Sequence, residues 1–272
     1  MKNSQFCLSL LCVSLLSGCG NEETPAPETK VDQPAPPPFE TSNIIIDGLS
    51  GSESYALRGA DQAWPNGQAD TLATDLNANN YYVIFDASGS MGSTECGDGH
   101  RRIAVAKQAI KRFFETLPKD SNLGLLAFSA KGVQQLSAIQ PVNAPRLSNL
   151  TSAIVAGGTT PLADSMVYAA AKLEQQGQKQ LGYGEYNIVV LTDGVANDPK
   201  DLRAQVSKIV ANTPINIHTI GFCIGSDHSL NQQGIINYHP ASNADELLSG
   251  LTAVLAEAPQ YDSDHFDNGS AQ

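Results

Sequence analysis

The chain has 272 residues, enough for one or two domains, and carries 28 acidic against 16 basic side chains, a formal net charge of −12 at pH 7. An acidic excess of this size excludes a nucleic-acid binder, which needs lysine and arginine clustered on one face. The five cysteines are few and scattered, so no dense disulfide framework holds the fold.

The first 19 residues read as an export signal, with Lys2 as the positive flank and Phe6 to Leu16 as an apolar run too short to span a bilayer. Leu16-Ser17-Gly18-Cys19 resembles a bacterial lipobox, in which cleavage leaves the cysteine as an acylated N-terminus. Cys19 is therefore the expected lipid anchor, and no later stretch is long and apolar enough for a transmembrane helix. Gly20 lacks the Asp that favours inner-membrane retention, which leans sorting toward the outer membrane of a bacterial cell envelope. Residues 20–40 hold Pro25, Pro27, Pro34, Pro36, Pro37 and Pro38. An extended tether of this length reaches roughly 60 Å at about 3.1 Å per residue. Residues 41–79 are poorly defined apart from a possible strand at Ile44 to Ile46, and are expected to lie loosely on the domain or to be partly disordered.

From Tyr81 short apolar strands alternate with amphipathic helices, the signal for an α/β fold with a mainly parallel sheet. The first strand is Tyr81 to Phe85, followed by a helix over 102–117 that Pro118 ends. Strands are expected at 123–128 and, as an antiparallel edge, at 133–140; a short helix follows at 149–156. Pro161 opens a helix whose inner face is Leu162, Met166, Ala169 and Leu173. A strand at 186–191, a helix at 199–210, strands at 215–222 and 235–238 and a helix at 244–256 complete the domain, assigned to residues 80–258. Residues 259–272 are polar and acidic and read as a disordered tail.

Three stretches carry the chemistry, and ligands of parallel sheets bind at the carboxyl ends of strands. Asp86-Ala87-Ser88-Gly89-Ser90 follows the first strand, Gly157-Gly158-Thr159-Thr160 opens a helix, and Asp193 follows the strand ending at Leu191-Thr192. Together they resemble the metal-ion-dependent adhesion site of von Willebrand factor type A domains, in the family's order and at similar separations. The resemblance implies a Rossmann-like doubly wound fold, with six strands, one of them a short antiparallel edge, and helices on both faces. It implies that Asp86, Ser88, Ser90, Thr160 and Asp193 hold Mg²⁺, or Mn²⁺ or Ca²⁺, with Thr159 one residue away as the alternative threonine. Hydroxyls ligating directly and carboxylates orienting waters keep such an ion electrophilic, so that a partner's Asp or Glu completes its shell. The implied function is a protein-binding or adhesion module on the envelope.

After signal removal and acylation, Cys96 and Cys223 remain as an even pair in an oxidising compartment and are expected to form a disulfide at the site's rim, two separate thiols being the alternative. His228 and His239 read as surface histidines, since their spacing to Cys223 matches no tight zinc motif. A scaffold subunit beside an envelope machine is a second reading with the same site chemistry. An enzyme using Asp86 as phosphoryl acceptor or Ser90 as nucleophile is disfavoured. Position 88 is Ser where such phosphatases have a second Asp, and Ser90 lacks the Gly two residues before it that a hydrolase elbow needs.

Overall fold

A computed structural model describes Ile44–Ile45 and residues 64–226 and 228–256. The export signal with Cys19, the tether over 20–40 and the tail over 259–272 lie outside the described residues. Strands are β1 (Ile44–Ile45), β2 (Asn80–Asp86), β3 (Asn122–Ser129), β4 (Gly132–Pro141), β5 (Tyr186–Thr192), β6 (Asn216–Phe222) and β7 (Asn237–Ala241). Helices are α1 (Arg102–Thr116), α2 (Ala144–Ser152), α3 (Leu162–Lys179), α4 (Pro199–Asn212) and α5 (Ala244–Ala256).

The sheet order is β1-β4-β3-β2-β5-β6-β7. β3, β2, β5, β6 and β7 run parallel, β4 pairs antiparallel with β3, and β1 adds two residues outside β4. The expected six-stranded doubly wound sheet is thus present, and β1 extends it. Every residue of β2 and β5 is buried, as central strands covered on both faces require. Alternation divides their side chains between two cores. Tyr81, Val83 and Phe85 pack with α1, α2 and α5, whereas Tyr82 and Ile84 pack with α3 and α4. From β2 the chain first builds outward through β3 and β4, then returns to lay β5 on the other side, so the switch of direction lies at the carboxyl ends of β2 and β5.

Two element boundaries differ from expectation. The helix expected at 149–156 is α2, begun at Ala144 because the Asn143 side chain accepts the Arg146 N–H at 3.1 Å and Pro145 suits the first turn. Its apolar-looking continuation is loop, with Val155 66 % exposed. The last strand lies not at 235–238 but at Asn237–Ala241. Ile235 and Ile236 close a turn onto the Gln232 carbonyl, and Pro240 is accommodated because β7 is an edge.

Residues 64–79 are bound firmly rather than loosely. Ala69 and Ala73 donate backbone N–H groups to Gln178 and Lys179, and Gln180 Nε2 donates to the Leu76 and Ala78 carbonyls at 3.0 Å each. The Trp64 ring meets Tyr186 edge-on at 4.5 Å and lies over Gly177 of α3. This strap closes the end of the sheet where β2 begins.

Gly177 gives a test. Replacing a helical glycine by alanine ordinarily gains about 1 kcal/mol. Here the added methyl would lie 2.6 Å from a Trp64 ring atom, and overpacking costs about 1–3 kcal/mol. Gly177→Ala is expected to destabilise the wild-type protein but to stabilise a Trp64→Ala background; urea unfolding of the four proteins checks the reversal of sign.

Candidate metal site

Asp86 ends β2 and has no exposure to solvent. Its Oδ1 accepts the Ser88 N–H at 2.8 Å, the short-range turn that Asp-x-Ser favours, and its Oδ2 accepts the Thr192 hydroxyl at 2.6 Å from the last residue of β5. Burial pushes the carboxyl up to a pKa of about 6, against the downward pull of hydrogen bonds from Ser88 and Thr192; the nearby Asp193 charge adds a smaller upward push.

The two serines link Asp86's loop to Asp193. Ser90 donates its hydroxyl to Asp193 Oδ1 at 2.7 Å, and the Ser88 and Ser90 hydroxyls are 3.0 Å apart. Thr160 comes in on a separate loop pinned from both sides. Gly157 donates its N–H to the Ala87 carbonyl at 2.8 Å and Gly89 donates to the Gly158 carbonyl at 3.2 Å, joining the threonine loop to the serine loop. Gly158 has a φ of +82°, and a methyl there would lie 2.6 Å from the Ser129 carbonyl, so glycine is required. On the other side Thr160 donates its N–H to Asn197 Oδ1 and accepts the Asn197 N–H, both at 3.0 Å. Thr160 is buried, whereas Thr159 is exposed.

The oxygens meet at Gly194. A methyl built on this residue would lie 3.3 Å from Ser90 Oγ, 3.5 Å from Thr160 Oγ1 and 3.8 Å from Asp86 Oδ2. Three oxygens from two separate segments, the Asp86–Ser90 stretch and the Thr160 loop, therefore face one point that a side chain at position 194 would fill, with Ser88 and Asp193 hydrogen-bonded behind them. A set of two carboxylates and three hydroxyls suits a small hard cation such as Mg²⁺. Among the described residues no group of three or more His, Cys, Asp or Glu gathers, and Cys223 is bonded to Cys96 rather than a free thiolate.

Three contributors were not evident from sequence. Arg102, buried at the start of α1, donates from Nη1 to Asp193 Oδ2 at 2.9 Å. Asn197 ties the loop after β5 to Thr160. His228 is buried, not a surface residue: its Nδ1 accepts the Leu230 N–H at 3.1 Å, so Nε2 carries the proton and donates to the Gly194 carbonyl at 2.9 Å. Burial pushes the His228 pKa down, opposed by that bond to the carbonyl. His239 is half-buried on β7. Cys96 and Cys223 are joined by a disulfide with a Cα–Cα distance of 6.0 Å. For a separation of 127 residues, the chain-entropy model gives a stabilisation on the order of 4 to 5 kcal/mol.

Residues 80–247 match the family model of the von Willebrand factor type A domain. YwmD of Bacillus subtilis (strain 168) is 29 % identical over 199 residues, covering 66 % of this chain and 83 % of that protein. YwmC of the same organism is 28 % identical over 159 residues, covering 53 % and 66 %. Among solved structures, the pilus adhesin SpaC of Lactobacillus rhamnosus GG is similar at a TM-score of 0.55 and 16 % identity, covering 70 % of this chain and 31 % of that one. A von Willebrand factor type A protein of Catenulispora acidiphila gives 0.54 at 16 % identity, covering 73 % and 51 %. The manganese-loaded Plasmodium vivax TRAP protein gives 0.51 at 16 % identity, covering 65 % and 72 %. At these identities the structural likeness is one of fold. The chain spans about a third of the adhesin and about half of the Catenulispora protein.

The Asp86 burial predicts a pH dependence. An unfolded Asp ionises near pH 4, and in the fold this one does so near pH 6. The resulting stability is complete below about pH 4 and is lost as pH rises through 6, by about 3 kcal/mol. In chelator, Asp86→Asn is expected to exceed wild type in urea midpoint above pH 6, with the gap closing toward pH 4. Parallel midpoints across pH 4–8 would show that the ionised carboxylate is not penalised.

Proposed function

The chain belongs to the von Willebrand factor type A family, and on that premise we propose that it is a cell-envelope protein that captures a carboxylate of a protein partner through a divalent cation. The observation that carries this reading is the convergence of Ser90, Thr160 and Asp86 oxygens on Gly194. Ser88, Ser90 and Thr160 would hold Mg²⁺, or Mn²⁺ or Ca²⁺, with neutral oxygens. Asp86 and Asp193 would anchor the hydroxyls and bound waters. When bound, the cation supplies a Lewis-acidic position for an Asp or Glu side chain.

This chain's own residues set up that position. Thr192 and the Ser88 N–H fix Asp86, Ser90 is aimed by Asp193, and His228 holds the Gly194 backbone. Ser90 is exposed, as is Val195, which directly follows Gly194 and is 64 % accessible. An open polar site beside an apolar residue suits a protein surface. The adhesin SpaC shares the fold, and TRAP, of the same fold, was solved with manganese, which supports both halves of the reading. Attachment is proposed through acylated Cys19 and the tether over 20–40. No helix among the described residues is long and apolar enough to cross a membrane.

Calorimetric Mg²⁺ and Mn²⁺ titrations test the site. Wild type is expected to bind, whereas Asp86→Ala and Gly194→Ala lose about 10–100-fold or more. Circular dichroism in chelator is expected to show both variants folded. Capture of a crosslinked partner from envelope extract should need Mg²⁺ and vanish in chelator. Equal metal affinities, or capture indifferent to chelator, would sink the reading. Separately, Cys19→Ser should release the protein into the soluble envelope fraction; wild type recovered soluble and unacylated refutes the anchor.

A further inference from the structure

We propose that Arg102 is a positioning residue of this metal site and that the Cys96–Cys223 disulfide holds it in place; the inference rests on the metal-site reading above. Arg102 stands where a cation is least expected. It is the first residue of α1, at the positive end of the helix dipole, and its side chain is only 8 % exposed. A buried guanidinium in such a place requires compensation from elsewhere.

Four hydrogen bonds supply it. Nη1 donates to Asp193 Oδ2 at 2.9 Å, Nη2 to Glu95 Oε2 at 3.0 Å and to Cys223 Sγ at 3.1 Å, and Nε to the Glu95 carbonyl at 3.1 Å. Two of the three acceptor residues are controlled by the disulfide. Cys223 is one half-cystine, and Glu95 precedes the other. Both half-cystines hold positive φ, 58° at Cys96 and 63° at Cys223, a conformation that side chains rarely adopt without being held. The bond thus joins the loop before α1 to the loop after β6, with the guanidinium between them.

The consequence reaches the site through Asp193. Its Oδ1 accepts Ser90 and its Oδ2 accepts Arg102, so both oxygens are engaged and the carboxylate cannot rotate. A fixed Asp193 fixes the Ser90 hydroxyl, whose oxygen is the nearest of the three at Gly194. Arg102 also neutralises one of the two acidic charges, leaving a bound divalent cation with more positive charge to offer a partner's carboxylate. A competing role, the guanidinium as a plug in the ion's place, fits poorly. The atoms nearest the Gly194 point belong to Ser90, Thr160 and Asp86, while Arg102 reaches Asp193 from the Glu95 and Cys223 side.

The test is Mn²⁺ titration by calorimetry and electron paramagnetic resonance on wild type, Arg102→Met, Arg102→Lys and the Cys96→Ser/Cys223→Ser pair, each with its melting temperature in chelator. Arg102→Met is expected to weaken Mn²⁺ by about 10–100-fold, the range typical of residues that orient a metal's ligands. Arg102→Lys should recover part of the loss by restoring charge without the fork, and the cysteine pair should weaken Mn²⁺ in the same direction. Combining Arg102→Met with the cysteine pair should add little, since both act through Asp193. Should Arg102→Met fail to fold, Arg102→Lys and the cysteine pair decide. Unchanged Mn²⁺ affinity in the folded variants, even with lowered melting temperatures, makes Arg102 structural only and overturns the proposal. Tighter binding overturns it in favour of the plug. A wild type that binds no Mn²⁺ fails the metal-site reading itself, and this inference with it.

Discussion

Asp86 is an ionisable group with no contact with water, and the architecture around it is what permits that. A carboxylate in a low-dielectric interior is tolerated only when hydrogen bonds replace its hydration. Both oxygens of Asp86 are served, one by its own turn and one by Thr192 on the neighbouring strand. That second bond requires β2 and β5 to lie side by side in parallel with their carboxyl ends level, which the register from Asn80 and Tyr186 to Phe85 and Leu191 provides. The doubly wound topology therefore brings the two acids of the site onto adjacent strand ends.

The three loops above the sheet behave as one unit because each is bonded to the other two. Ala87 and Gly157, then Gly89 and Gly158, join the serine and threonine loops. Thr160 and Asn197 join the threonine loop to the segment after β5. Ser90 and Arg102 join the serine loop and the start of α1 to Asp193. Atoms held by such cross-bracing have little further freedom to lose when a ligand enters, which favours binding by a site built largely of neutral hydroxyls.

Much of this was legible in the sequence, for reasons of range. Strands β2 and β5 announce themselves as apolar runs, and the five ligand candidates lie at strand ends or in a glycine-rich turn, where local spacing carries meaning. What escaped depends on distant pairing. Arg101 and Arg102 look equivalent in sequence, yet one is exposed and the other is buried against Asp193. Asn197 and His228 are polar residues in loops, and only the fold shows that they brace Thr160 and Gly194. Val155 misled by being apolar and exposed, and the strap over 64–79 had no periodicity because backbone bonds and one tryptophan hold it, not an amphipathic face.

The strap has a mechanical meaning. It closes the pole of the sheet where β2 starts, while the oxygens of the site stand at the pole where β2 ends. A load drawn between those poles runs lengthwise along the central strand, whose ladders to β3 and β5 lie on both sides. Its backbone bonds then share the force in shear instead of opening one at a time like a zipper.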